Sequence, residues 1–108
     1  MPSGSITQSR PTVGFNHESI SVDNTAGGVG LTATTYKTTA GYATHAFITV
    51  EDGPIRYCYD GTAPTSSVGH KAGNGTTLVL IGQHQMDSFK AIRTGSTNGT
   101  LRVTYERE

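Results

Sequence analysis

From about residue 44 to the end, apolar and polar positions alternate, and no window of eleven residues carries a clean 3.6-residue apolar period. Thr44 to Val50 places Ala46, Ile48 and Val50 on one face and His45, Phe47, Thr49 and Glu51 on the other, the pattern of a strand buried on at least one side. Glu51-Asp52-Gly53-Pro54 breaks the run. Ile55 to Asp60 resumes it with Ile55, Tyr57 and Tyr59 facing together, which predicts a hairpin between the two strands. Thr77 to Ile81 is almost continuously apolar and predicts a strand buried on both faces or close to it. Ser88 to Thr94 sets Phe89 and Ala91 against Lys90 and Ile92, and Leu101 to Tyr105 alternates strictly. Upstream, Ser19 to Val22 predicts a short first strand, while the Thr-rich stretch Leu31 to Tyr36 reads as a strand or as a single irregular turn. The expected core is Ile48, Val50, Ile55, Tyr57, Leu78, Leu80, Phe89, Leu101 and Val103.

The segments between these runs carry turn chemistry. Residues 1–16 mix Pro2, Gly4, Pro11 and Gly14 with polar residues, and Ile6, Val13 and Phe15 keep no period. They read as an extended N-terminal arm, long enough at ~3.3 Å per residue to cross a neighbouring subunit. Residues 17–108 then form a single β-sandwich domain. Ala26 to Gly30 is read as a flexible loop, Asp60 to Gly75 as a long surface connection, and Asn74-Gly75 and Asn98-Gly99 as hairpin turns. Short strands at roughly 10-residue spacing joined by Gly-rich turns predict an all-β fold, a compact antiparallel β-sandwich or barrel of about 6–8 strands.

Composition agrees with that class. The 108 residues include 14 Gly, many Thr and Ser and no Trp, a mixture of strand formers and turn formers. Eight Lys+Arg balance eight Asp+Glu without a basic run, so the chain lacks the charge that holds a nucleic-acid backbone or an anionic membrane. No stretch reaches the ~18 apolar residues of a membrane span. Met1-Pro2-Ser3-Gly4-Ser5 has neither part of a signal peptide, so a product of the cytoplasm is expected.

Candidate chemistry is sparse. His17, His45, His70 and His84 have no pair at metal-ligand spacing, and they are expected as exposed turn or strand-edge residues with no metal. Cys58, the single cysteine, has no neighbouring base to activate it and is expected as a small buried packing residue. Ser66, Ser67 and Ser88 are not in a nucleophile-elbow turn. Glu51 and Asp52 are adjacent and point to opposite faces, where two-carboxylate chemistry needs acids facing across a cleft. Asn74-Gly75-Thr76 and Asn98-Gly99-Thr100 match the glycosylation acceptor pattern, and Gly27-Gly28-Val29-Gly30 lacks the following helix of a phosphate loop. No catalytic residue, cofactor or enzyme activity is expected.

The stretch Ala46 to Thr65 followed by Val68-Gly69-His70 resembles a family of small structural proteins of tailed-bacteriophage virions. The likeness extends upstream to Gly30-Leu31-Thr32-Ala33 and downstream to Phe89 to Arg93 and Leu101 to Tyr105, about residues 19 to 106. It implies a non-enzymatic virion component, and a capsid decoration (cement) protein on the outside of the head is the expected role. Its partners would be the major capsid protein or other virion proteins, with homo-oligomers and without direct nucleic-acid or membrane contact. A neck or tail accessory protein and a carbohydrate-binding host-adhesion module are the alternatives, the latter drawing on Tyr36, Tyr42, Tyr57, Tyr59 and Tyr105 for stacking. The expected assembly contact is the loop holding Asp60, Gly61, Thr62, Pro64, Thr65, Gly69 and His70. Asp60 and Thr62 can fix a turn, Pro64 presets φ and Gly69 relieves strain before His70.

Overall fold

A computed structural model describes residues 12–39 and 41–108. The all-β expectation holds. In chain order the strands are β1 (Val13–Val22), β2 (Lys37–Thr38), β3 (Gly41–Tyr42), β4 (His45–Glu51), β5 (Ile55–Cys58), β6 (His70–Ala72), β7 (Thr77–Ile81), β8 (Lys90–Arg93) and β9 (Gly99–Arg107). Helix is confined to α1 (Ala33–Tyr36) and α2 (Gln83–Ser88) among the described residues. One sheet has the order β1-β9-β4-β7 and a second the order β6-β5-β8, with β2 and β3 as a small ribbon. All pairings within them are antiparallel.

One hydrophobic core unites the two larger sheets. Val22, Ile48, Val50, Leu101, Val103 and Tyr105 come from the four-stranded sheet, and Ile55, Ala72 and Ala91 from the other. Seven of the nine residues expected in the core belong to it, and the other two, Tyr57 and Leu78, are partly buried and pack against it. Alternation did not reveal Tyr36 and Met86, which enter from α1 and α2 and are almost fully buried. The phenol of Tyr105 donates to Glu18 and that of Tyr36 to Asp87, so both rings bury their bodies and satisfy their hydroxyls. Burial first, then these acidic partners, raises both phenols well above the ordinary tyrosine range.

Several expectations about neighbours are corrected. β4 and β5 do not form a hairpin, because they lie in different sheets. At the corner between them Asp52 takes φ 73°, and a Cβ on Gly53 would lie 2.7 Å from the Thr97 carbonyl oxygen. Pro54 has no N–H to continue a ladder, so the chain turns into the second sheet. The two Asn-Gly turns likewise join strands of different sheets, β6 to β7 and β8 to β9. The open stretch Leu31 to Tyr36 ends in the single helical turn of α1. The expected strand at Ser88–Thr94 is shortened to β8, since α2 takes up Ser88.

The strand expected to begin at Ser19 begins at Val13, and positions 13–16 of the expected arm pair with the end of β9. Positions 1–11 of that arm lie outside the described residues. Residues 26–30 are pinned, not loose: Val29 and Ala91 exchange backbone bonds of 2.7 and 2.9 Å. His45 is buried at 7% exposure beside Thr44, whereas His17, His70 and His84 are exposed as expected.

The largest correction concerns β7. Its apolar run is not buried on both faces: Leu80 is buried and Leu78 half-buried, but Val79 is 42% and Ile81 56% exposed. The reason is topological. Among the described residues β7 is the last strand of its sheet, and only one of its faces meets the core.

Candidate functional site

The long connection after β5 folds back on its own strand to build a concavity. A cleft of about 540 Å³ is lined by Cys58, Tyr59, Asp60, Thr62, Val68, Gly69 and His70. Of the seven residues expected to make an assembly contact, the structure brings Asp60, Thr62, Gly69 and His70 to this cleft. Pro64 does something else. It is fully buried, and the backbone of Gly28 passes so close that a Cβ there would meet the Pro64 ring at 3.1 Å. Gly61 and Thr65 are exposed on the loop outside the cleft lining.

Polar bonds hold the loop in one shape. The Asp60 carboxylate accepts the Thr62 N–H at 3.0 Å, which closes a local turn and lowers the Asp60 pKa below the usual carboxylate range. Thr65 and Val68 exchange backbone bonds, and the Thr65 hydroxyl accepts the Ser67 N–H. Arg56, on β5, reaches across: its Nε donates to the Ser66 carbonyl at 3.0 Å and its Nη1 to the Gly69 carbonyl at 2.7 Å. Gly69 has φ 120°, and a Cβ there would lie 3.0 Å from the Tyr57 carbonyl oxygen, so glycine is required.

An aromatic ladder leads from the core to the Tyr59 and His70 rings that line the cleft. The Phe89 and Tyr57 rings stack with centroids 5.7 Å apart, Tyr57 and Tyr59 follow at 6.3 Å, and the His70 ring tilts against Tyr57 at 5.4 Å and Tyr59 at 6.1 Å. The ladder climbs from the buried Phe89 to Tyr59, which is 41% exposed, while Val68 across the cleft is 45% exposed. The cleft therefore presents two apolar contacts framed by Asp60, Thr62 and His70.

Cys58 is buried, as expected, and burial first, then the nearby Asp60 charge, pushes its thiol pKa up, so it stays protonated at neutral pH. No cluster of three or more His, Cys, Asp or Glu that could hold a metal occurs among the described residues. The sequence reading did not place Arg56 and Val68 in the site, and it named Tyr59 only for stacking in the carbohydrate-binding alternative. Tyr57 and Tyr59 share a face in the alternating pattern, which is a signal for the ladder, whereas the bonds of Arg56 to residues ten and thirteen positions away had no local trace.

Comparison with protein-family models found none that matches the chain, and comparisons with curated proteins and with solved structures found no match either.

Proposed function

We propose that the chain is a non-enzymatic structural protein of a tailed-bacteriophage virion, a decoration protein that reinforces the capsid exterior by contacts with the major capsid protein. The observation that carries this reading is the pre-organised loop 59–70, whose shape is held by Arg56, Asp60, Thr65 and a buried Pro64 while Tyr59 and Val68 stay exposed. A partner that inserts an apolar side chain between Tyr59 and Val68 meets a surface that loses little conformational entropy on binding. The part of the chain that resembles phage proteins includes this loop.

The test is reconstitution. Particles of the phage that carries the gene, assembled without this protein, are incubated with purified chain and the bound copies counted. Hundreds of copies per particle, lost with Tyr59→Ala or Val68→Asp, fit the capsid role. Six or twelve copies move the protein to the neck or tail, and none removes it from the virion. The same cleft sets the Tyr59 ring beside Asp60, Thr62 and His70, which are the ingredients of a sugar site. A glycan screen with the isolated chain that gives a Tyr59-dependent signal, without particle binding, would establish the adhesion reading instead.

A further inference from the structure

The ladder that rises from the core delivers one flat apolar surface to the cleft, the Tyr59 ring. Its planes are close to parallel, 29° apart between Phe89 and Tyr57 and 25° apart between Tyr57 and Tyr59, so the stack is of the kind that a further planar group extends. Tyr59 is backed by Tyr57 and His70 and is still 41% exposed.

The charge beside that ring belongs to Asp60. Of the described residues that line the cleft, Asp60 is the one carboxylate, and no Lys or Arg is among them. Arg56, under the same loop, directs its Nε and Nη1 to the Ser66 and Gly69 carbonyls. The Thr62 N–H fixes the Asp60 carboxylate and keeps it ionised to below the usual carboxylate range. Across the cleft, Val68 adds an aliphatic wall.

A ligand that answers ring, carboxylate and aliphatic wall together is planar and cationic at its tip and apolar along its stem. An aromatic side chain extends the stack but leaves the carboxylate without a counter-charge as it excludes water from it. An ammonium answers the charge but is a compact point, not a plane, and leucine answers only Val68. A guanidinium lies flat on an aromatic face, meets a carboxylate with its fork, and carries a methylene stem behind it.

We infer that the cleft is the receptor for an arginine side chain presented by a protein partner: the guanidinium lies on the Tyr59 ring and donates to the Asp60 carboxylate, while the stem runs along Val68. The inference rests on the reading of the cleft as a contact site for a protein, and not on that protein being part of a capsid. The pre-shaped loop suits such an anchor, since arginine is among the residues that carry most binding energy at interfaces when they enter a formed pocket.

The test titrates full-length chain with an N-acetylated, C-amidated Gly-Arg-Gly peptide and with its citrulline, lysine and leucine counterparts, followed by NMR at millimolar peptide, the range for a contact of one side chain. A full-length Arg10→Ala variant is titrated in parallel, so that the arginine of the leading segment does not compete. The arginine peptide should shift the amides of residues 59–62 and 68–70 saturably in the unmodified chain, or in Arg10→Ala where Arg10 competes. The citrulline peptide, planar but neutral, the lysine peptide, charged but not planar, and the leucine peptide should each bind at least about tenfold more weakly. Asp60→Asn should cost about tenfold in affinity while keeping the turn, because asparagine retains an oxygen for the Thr62 N–H. Tyr59→Phe should bind like the parent and Tyr59→Ala should lose the shifts. Equal binding of the citrulline or lysine peptide, indifference to Asp60→Asn, or no saturable shift in either chain would overturn the proposal. Particle attachment that needs Tyr59 but ignores Asp60→Asn would overturn it and leave the capsid reading standing, whereas arginine-selective binding by a chain that does not attach to particles supports it and removes the capsid reading.

Discussion

The connection after β5 and the strand β7 invert each other's sequence pattern. The connection is polar, rich in Ser, Thr and Gly, and has the composition of a loose surface loop, yet it is tied down by Arg56, by turns at Asp60 and Thr65, and by a Pro64 sealed under Gly28. β7 is nearly all apolar and has the composition of a buried strand, yet Val79 and Ile81 look outward from the strand that, among the described residues, ends its sheet. Composition reports what a segment can tolerate, while its neighbours decide what it meets. In both places apolar side chains are left exposed: Tyr59 and Val68 at the cleft in one, Val79 and Ile81 on the outer face in the other.

The contrast within β7 gives the largest expected effect. Leu80→Ala should cost about 2–5 kcal/mol in chemical denaturation of the monomeric form, because Leu80 is 3% exposed and packs in the core. Val79→Ala in the same assay should cost no more than about 0.5 kcal/mol. Equal costs at the two adjacent positions would mean that the strand is covered on both faces after all.

The loop comes next. Arg56→Ala removes two bonds that span the loop, one to Ser66 and one to Gly69, and should cost about 1–3 kcal/mol while making residues 59–69 susceptible to limited proteolysis. Arg56→Lys should recover only part of the protection, since an ammonium cannot reproduce the fork that reaches both carbonyls. A loop that resists protease without Arg56 would place its rigidity elsewhere.

The smallest effect separates the regions by pH. Asp60 has a lowered native pKa, first because of the Thr62 backbone bond, so its contribution is present above the unfolded value of about 3.9 and is lost as pH falls through the lower native value. Loop amides around Thr62 should therefore exchange faster relative to the rest of the chain below about pH 4. β7 has no titratable side chain and should not show this acid-dependent opening. Asp60→Asn should remove the acid response of the loop.

Much of the fold was legible because alternation identifies which residues share a face. Ala46, Ile48 and Val50, Leu101 and Val103 all point inward as their pattern requires. Alternation does not identify the strand next door. The β4–β5 hairpin and both Asn-Gly hairpins failed for that reason, since each joins strands of different sheets. His45 failed differently: it starts β4 between Ile81 and Glu106 and beside the Thr44 hydroxyl, and it is buried on a face that the period assigns to solvent. Of the site, Asp60, Thr62, Gly69 and His70 could be found from turn chemistry, whereas Arg56 and the cleft wall at Val68 depend on the loop folding back over β5.

Hydrogen exchange on the full chain, measured by NMR, tests the central contrast between the rigid loop and the outer strand most directly. The Thr65 and Val68 amides, which bond within the loop, should be protected. Within β7 the Leu80 amide, which points into the ladder with β4, should exchange much more slowly than the Val79 amide, which points away from it. Equal protection of Val79 and Leu80, or rapid exchange of the loop amides, would contradict the account.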